Sequence, residues 1–531
     1  MSTRPCISGI CAFLACTVLL VACFDGLNLD GGECVVDADC GPNLQCNAIG
    51  DKMCCGDACA AATSTASTST STGSGPVTVS VSTSTARPST SSETASATID
   101  TSTTTSTSDS STTEEPDCDP ELGLVNDQCP SQEPYCADSG DCVDCTQIDC
   151  SALDEDKSVC SPASGTCVVC TEEDSSACKG SNPVCDTLAG ECTICTEHAQ
   201  CASGACNKFD GTCFPQNALW VDKLAPCNGA TGSKEKPYCE IQDAAATIGK
   251  NDPTLIWVEP SAPYEKTVSI ESSRVVAIRS TSDTNSRLSV EGLPSLLVNQ
   301  GSVTFLERLQ IDYPSEDRGV VCSGGSLWAD HVQIQGRHNL GVDAMANCQM
   351  VFRRSKIANN SGGGIQLSGG SLRLENSFVV SNGSDFSEIG GVTTNQGAEL
   401  NLVYSSVISN QAQNELRLSM GCSPDTSGTV RNSIILGTTG GAASFECGGL
   451  EYEYNAIDNG KIGGTNTYVE GGLDPTWFVQ PQTGDFHLKN GNTTFKDVAL
   501  WINGDPDSDY DGAPRPSVDG TVDYAGADIP R

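Results

Sequence analysis

The chain has 531 residues, with 68 Asp and Glu against 28 Lys and Arg, a formal net charge of −40, and 32 cysteines. So acidic a surface repels phosphate, and there is no basic arm or aromatic-basic interleaving, which excludes nucleic acid as a partner. That many cysteines do not suit a reducing cytosol; in an exported chain they pair as structural disulfides.

In chain order, Arg4 precedes an apolar run from Ile7 to Ala22. The run is short for a membrane span and right for the core of a signal peptide, residues 1–22. It closes on Leu20-Val21-Ala22-Cys23. These four residues resemble the bacterial lipoprotein box, which implies that Cys23 is lipidated and tethers the mature chain to a membrane at the outer surface of the cell envelope. Ordinary signal cleavage, with Cys23 incidental, is the alternative. Acylation by two or more chains anchors stably, since each buried CH₂ contributes ~0.8 kcal/mol.

Setting aside Cys6, Cys11, Cys16 and Cys23 leaves 28 cysteines in groups of six, sixteen and six, each even as closed disulfide sets require. The first six, Cys34, Cys40, Cys46, Cys54, Cys55 and Cys59, fall in a small module within residues 23–60 that depends on its bridges rather than on a core. Residues 61–117 are nearly all Ser, Thr, Ala and Gly up to Pro116. They cannot bury enough apolar surface to order, so they are expected to form a disordered spacer, open to O-glycosylation, with a reach on the order of 40 Å.

Residues 118–213 hold the sixteen. After Cys118 and Cys129, the other fourteen read as units Cys136, Cys142, Cys145, Cys150; Cys160, Cys167, Cys170, Cys178; Cys185, Cys192, Cys195, Cys201; and a partial Cys206, Cys213, with Gly140, Gly165, Gly190 and Gly211 just before each second cysteine. A recurring C-x₂-C also suits zinc. Export, a single histidine (His198) and 18 acidic residues to three lysines favour disulfides, and a semi-rigid stalk of small Cys-rich repeats is expected.

From residue 214 to 531 cysteines thin out and aliphatics rise. Similar segments recur from about residue 300 to 460, and one apolar mark falls at Ile311, Ile334, Ile357, Val380, Ile408, Leu436 and Ile457, in steps of 23, 23, 23, 28, 28 and 21 residues. The period is too short for a propeller blade or an α-solenoid repeat, and the segments are β-branched and Asn/Gly-punctuated, so each reads as one turn of a parallel β-helix. Asn359, Asn382, Asn410 and Asn459 stand two residues after a mark and read as an asparagine ladder at a tight corner. A second strand per coil follows Gly319, Gly341, Gly364 and Gly391.

Two flanking signatures resemble the pectate-lyase-like right-handed β-helix proteins of bacteria. One is Leu219-Trp220-Val221-Asp222 followed by Gly232-Ser233 and Lys236-Pro237-Tyr238-Cys239-Glu240-Ile241-Gln242-Asp243-Ala244-Ala245; the other is Asp511-Gly512-Ala513-Pro514-Arg515 with Thr521-Val522-Asp523-Tyr524-Ala525-Gly526-Ala527. The resemblance implies an all-β fold, a right-handed parallel β-helix closed at its start by a short helix from Glu240 to Ile248. It covers about residues 219–528, with Tyr524-Ala525 departing slightly from the usual spacing. The remaining six cysteines suggest the pairs Cys227–Cys239, Cys322–Cys348 and Cys422–Cys447, the latter two 26 and 25 residues apart and so close to one coil.

The family's enzymes imply either an Arg or Lys base beside calcium-holding carboxylates or a cluster of Asp acting as acid and base. No paired Asp motif is visible, and Gly336-Arg337-His338-Asn339 does not reproduce the hydrolases' G-H-G. What remains is a stripe: Arg308, His331 and Arg354 three residues before the mark, with Gln310, Gln333 and Lys356 one before it. Strand alternation points both rows outward at ~4.8 Å per coil, close to the length of a sugar unit. The stripe is therefore the candidate contact for an acidic polysaccharide, with Arg354 the candidate base of any lyase. A solvated face neutralising Glu307 and Asp330 is the plainer alternative. Asp507, Asp509 and Asp511 match the first half of a calcium loop whose twelfth position is Val518, so calcium is the candidate cofactor and otherwise none is expected. The expected protein is a monomeric, lipid-anchored surface protein that binds polysaccharide or a neighbouring surface; an anchored polysaccharide lyase or glycoside hydrolase is the alternative.

Overall fold

The computed structural model describes residues 46–49, 52–55, 118–119, 125, 128–312, 317–336, 339–384, 387, 390–412, 419–438, 445–459 and 461–531. The chain divides into two compact units, Met1–Asp109 and Ser110–Arg531. In the first, the antiparallel strands Cys46–Ile49 and Lys52–Cys55 pair. The expected signal peptide, the lipidation site Cys23 and the Ser/Thr-rich spacer lie outside the described residues. Among the described residues no helix is long and apolar enough to cross a membrane.

The second unit begins with four small modules, each closed by two disulfides in a 1–3, 2–4 pattern: Cys118–Cys136 with Cys129–Cys142, Cys145–Cys160 with Cys150–Cys167, Cys170–Cys185 with Cys178–Cys192, and Cys195–Cys206 with Cys201–Cys213. Zinc is thereby excluded at these sulfurs, and the repeat frame is corrected. Each C-x₂-C straddles a boundary, its first cysteine closing one module and its second opening the next. Gly140, Gly165, Gly190 and Gly211 make the hairpin turns at φ 82°, 70°, 68° and 75°, a region that glycine enters without steric cost. Such bridging fits an oxidising, extracellular setting.

The rest is the parallel β-helix expected from the sequence, built from three sheets of ten, nine and eight strands, here A, B and C. One coil runs through Ser326–Asp330 in A, Gln333–Gln335 in B and Val342–Met345 in C, and each strand pairs in parallel with its counterpart one coil on. In A, alternate residues such as Leu327, Ala329, Met350, Phe352, Leu372 and Leu374 are buried in one continuous core. Before sheet C, glycines 341, 364 and 391 stack so closely that a Cβ on Gly341 would stand 2.7 Å from the Gly364 carbonyl oxygen. The helix Ile241–Ala245 closes the first coil, with Ile241, Ala244, Ala245 and Ile248 in that core.

The register of sheet B departs from the expected one in its later coils. Ile357 pairs with Val379, not Val380, and the inward row continues through Val407, Ile435 and Ile457. Val380, Ile408 and Leu436 face outward, yet they are just as buried, because the segment from Leu473 to Ala527 packs over them. An apolar residue on both faces hides which one is inside. The asparagine ladder shifts with it: its rungs are Asn360, Asn382 and Asn410, with Asn360 Nδ2 donating to Asn382 Oδ1 at 2.9 Å and Asn382 Nδ2 to Asn410 Oδ1 at 3.0 Å. Asn359 is instead a left-handed corner residue at φ 57°. A second ladder lies at the A-to-B corner, where Ser355, Ser377 and Ser405 each donate a backbone N–H to the hydroxyl of the serine one coil on.

All three suggested β-helix bridges are present. Cys422 and Cys447 follow directly on the paired Gly421 and Glu446 and so join adjacent rungs. Cys322 instead stacks on Ala344, and its bridge reaches round the next turn to Cys348.

Candidate functional site

The stripe lies where sheet A turns into sheet B. Arg308, His331 and Arg354 occupy the corner with left-handed backbones, φ 54°, 53° and 46°. Holding non-glycine residues there costs of order 1–2 kcal/mol each, offset by the N–H bonds to the next coil, such as His331 N to Arg353 O at 3.1 Å. Gln310, Gln333 and Lys356 follow in register on the outer face of sheet B.

The arginines of the stripe are already engaged. Asp330, almost fully buried, accepts from Arg354 Nη2 at 2.6 Å and Nε at 3.0 Å and from Arg353 Nε at 3.1 Å, with His331 Nδ1 3.1 Å away. Burial alone would raise its pKa, but these hydrogen bonds and charges hold it far below the usual carboxylate range. Arg308 pairs with Asp283 at 3.1 Å and Glu307 at 3.4 Å. The candidate base Arg354 is committed to Asp330. Burial lowers the pKa of Lys356, with Asp485 opposing. What the face offers a ligand is chiefly amides and hydroxyls.

Arg353 and Glu197 escape a reading of the stripe alone. Stacking the coils gives the signal: Asp330, Arg353 and Glu375 share one outward column of sheet A, alternating in charge. The fourth cysteine module lies over this column. Arg353 grips Glu197 at 3.0 and 3.1 Å, Phe209 and Phe214 pack on Phe305 with centroids 5.5 and 5.6 Å apart, and His198 accepts the Cys206 N–H on Nδ1 at 3.0 Å. Burial and the neighbouring Arg279 push His198 down to about 4, so it sits there as a neutral ring.

The outer face of sheet B changes character along the axis. Arg287, Gln310 and Gln333 leave it polar and partly open, whereas Phe378, Ser406 and Ile434 at the same strand position are buried. The C-terminal segment makes the difference. Its Arg515, wholly enclosed, donates to Asp523 at 2.9 Å, to the Gly526 carbonyl at 2.8 Å and to Asn376 at 3.3 Å, and lies 3.8 Å over the Tyr404 ring. The Arg and Asp of the terminal signature are thus a structural clasp.

At the edge of that segment His487 stands between Asp485, 2.6 Å from Nδ1, and Asp511, 3.6 Å from Nε2. Burial opposes its charge, but the two carboxylates outweigh it and raise the ring to about 9. His487, Asp511 and Asp528 bring ligand atoms within 4.8 Å of one another, but the imidazolium already balances that charge. The calcium expectation at Asp507, Asp509 and Asp511 does not fit the geometry. Asp509 is turned inward, its Oδ1 accepting from Asp511 N at 3.0 Å and Ala513 N at 2.6 Å and its Oδ2 from Ile529 N at 3.1 Å. Those oxygens fasten the chain terminus instead of facing a shared ion.

At the B-to-C corner, beside the polar part of sheet B, a cleft of ≈ 620 Å³ is lined by Asp312, Gln335, Asn359, Asn360, Ser361 and Ser381. Of the loop compared with the hydrolases, Arg337 and His338 lie outside the described residues.

A family of unknown function (DUF8331) matches residues 103–219, the stretch that holds the four modules. No curated protein matches the chain in sequence. Among solved structures the chain is similar to a pectate lyase, Pel9A, at TM-score 0.35 and 14% identity over 59% of this chain and 97% of that one. It is also similar to a rhamnogalacturonan lyase, at TM-score 0.26 and 9% identity over 57% and 96%.

Proposed function

We propose that this is an exported, lipid-anchored surface protein whose β-helix contacts glycan through the polar part of sheet B and does not cleave it. The anchor is Cys23, and the spacer over residues 61–117 gives the folded unit its reach from the membrane. One observation carries the reading: Gln310 and Gln333 stand in register one coil apart on the outer face, and Gln335 follows Gln333 on the same face, paired with Asp312 next to the ≈ 620 Å³ cleft. The amides of Gln310 and Gln333, one coil or ~4.8 Å apart, match the hydroxyl spacing of an extended sugar chain, and each can both donate and accept. The stripe's arginines, bonded to Asp330, Glu307 and Asp283, position this face. Acidic polysaccharide remains within the class proposed, reached through the outer edges of Arg308 and Arg287.

The test is retention of the full chain on a panel of immobilised neutral and acidic glycans, with assays for unsaturated uronides and reducing ends. Retention without product is expected. Release of either product would make the protein an enzyme, and absence of both retention and product would leave an architectural role.

A further inference from the structure

The asparagine ladder ends in an unmet hydrogen bond. Asn382 Oδ1 receives the backbone N–H and the side-chain N–H of Asn360, and Asn410 Oδ1 receives both from Asn382. Asn360 is the first rung: its Nδ2 also donates to Ile334 O at 3.1 Å, but its Oδ1 accepts from no donor, although the residue is wholly buried. A buried amide oxygen without a partner is costly, and Asn360 is one of the residues that line the ≈ 620 Å³ cleft. The volume falls in the ~300–1,000 Å³ range of small-molecule sites.

The lining decides the chemistry. Among the described residues no cation lines the cleft. Its one carboxylate, Asp312, accepts from Arg287 Nε at 3.0 Å and from the Gln310 amide, so its charge is balanced from the strand side. The cleft therefore presents acceptors, Asp312 and Asn360 Oδ1, beside the amides of Gln335 and Asn359. A uronate carboxylate brought here would face oxygen lone pairs, whereas a sugar hydroxyl donates to one group and accepts from the next.

We propose that the cleft at the foot of the asparagine ladder seats a neutral hexosyl unit, one hydroxyl donating to Asn360 Oδ1 and its neighbours meeting Asp312, Gln335 and Asn359. This rests on the glycan-contact reading and narrows it to uncharged glycans.

The experiment is calorimetric titration of the full chain with neutral tetrasaccharides of gluco, galacto and manno configuration and with tetragalacturonate. Wild type is compared with Gln335→Trp, which fills the cleft, and with Asn359→Ala at its rim; unchanged circular dichroism and a retained cooperative thermal transition establish folding. At least one neutral tetrasaccharide should bind, with more than tenfold loss in Gln335→Trp and several-fold loss in Asn359→Ala, and tetragalacturonate should bind at least tenfold more weakly. Neutral binding untouched by both variants overturns the proposal. Binding of tetragalacturonate alone also overturns it but leaves the glycan reading standing, and binding of neither class overturns both.

Discussion

Arg353 donates through Nη1 and Nη2 to the carboxylate of Glu197, 156 residues earlier in the chain, at 3.0 and 3.1 Å. With its Nε on Asp330, it bridges a cysteine module to the β-helix. Asp330 is the pivot, since it also takes two hydrogen bonds from Arg354.

Removing the pivot should therefore cost far more than removing a surface charge. Asp330→Ala leaves Arg354 partly buried without its anion and Arg353 with Glu197 alone, and a loss of about 3–5 kcal/mol is expected. Glu265→Ala, which removes a largely exposed partner of Lys223, should cost under ~1 kcal/mol. Chemical denaturation of the two variants checks the ratio.

The ladder correction makes a second contrast. Asn382→Ala deletes an amide that donates to Ile357 O at 2.9 Å and to Asn410 and accepts from Asn360. Several buried groups lose partners, at roughly 1–3 kcal/mol each. Asn359→Ala, one position from the ladder, changes only a left-handed corner residue, and about 1 kcal/mol is expected. Thermal unfolding of both variants distinguishes the registers; equal losses would favour the register that places Asn359 in the ladder.

The fold is legible in the sequence where a coil depends on its own residues: the period, the glycine stack and the interior row through Ile311, Ile334 and Ile357. It becomes ambiguous at Val380, Ile408 and Leu436, because their burial comes from a segment that follows them in the chain. Local alternation carries no trace of such a covering. The cysteine repeat misleads for a related reason, since C-x₂-C is the most regular spacing but marks the junction of two modules, not the centre of one. The stripe is visible, and neutralisation of Glu307 and Asp330 by it is the plainer of the two readings the sequence offers, but which arginine each carboxylate holds is a matter of side-chain geometry. Asn360, Asp312 and Gln335 share a cleft only because two coils stack, and spacing along the chain does not display that.

Opposite pH limbs are expected at the two coverings of the β-helix. Asp511 and Asp485 raise His487 to about 9 against its burial, so its contribution to the C-terminal segment is complete below ~6.5 and fades as pH climbs through about 9. Asp528, pushed up to about 6 by burial, favours the fold in acid and loses that contribution as pH rises from ~3.9 towards 6. His198, held down to about 4, acts in the other direction: stability of the fourth module erodes as pH falls from ~6.5 to about 4, because the unfolded ring takes a proton that the buried one refuses. Limited proteolysis across pH should free residues 473–531 first in alkali and loosen residues 195–213 first in acid. His487→Asn should flatten only the alkaline limb.

The most direct test of glycan contact through sheet B is retention of one triple variant, Gln310→Ala with Gln333→Ala and Gln335→Ala, on the glycan that holds the wild-type chain. A sheet A variant, Arg373→Ala with Asn401→Ala, serves as control on a different face. The expected result is at least tenfold weaker retention of the triple variant and wild-type retention of the control, both folded by circular dichroism. Wild-type retention of the triple variant, or loss confined to the sheet A variant, would contradict contact through sheet B.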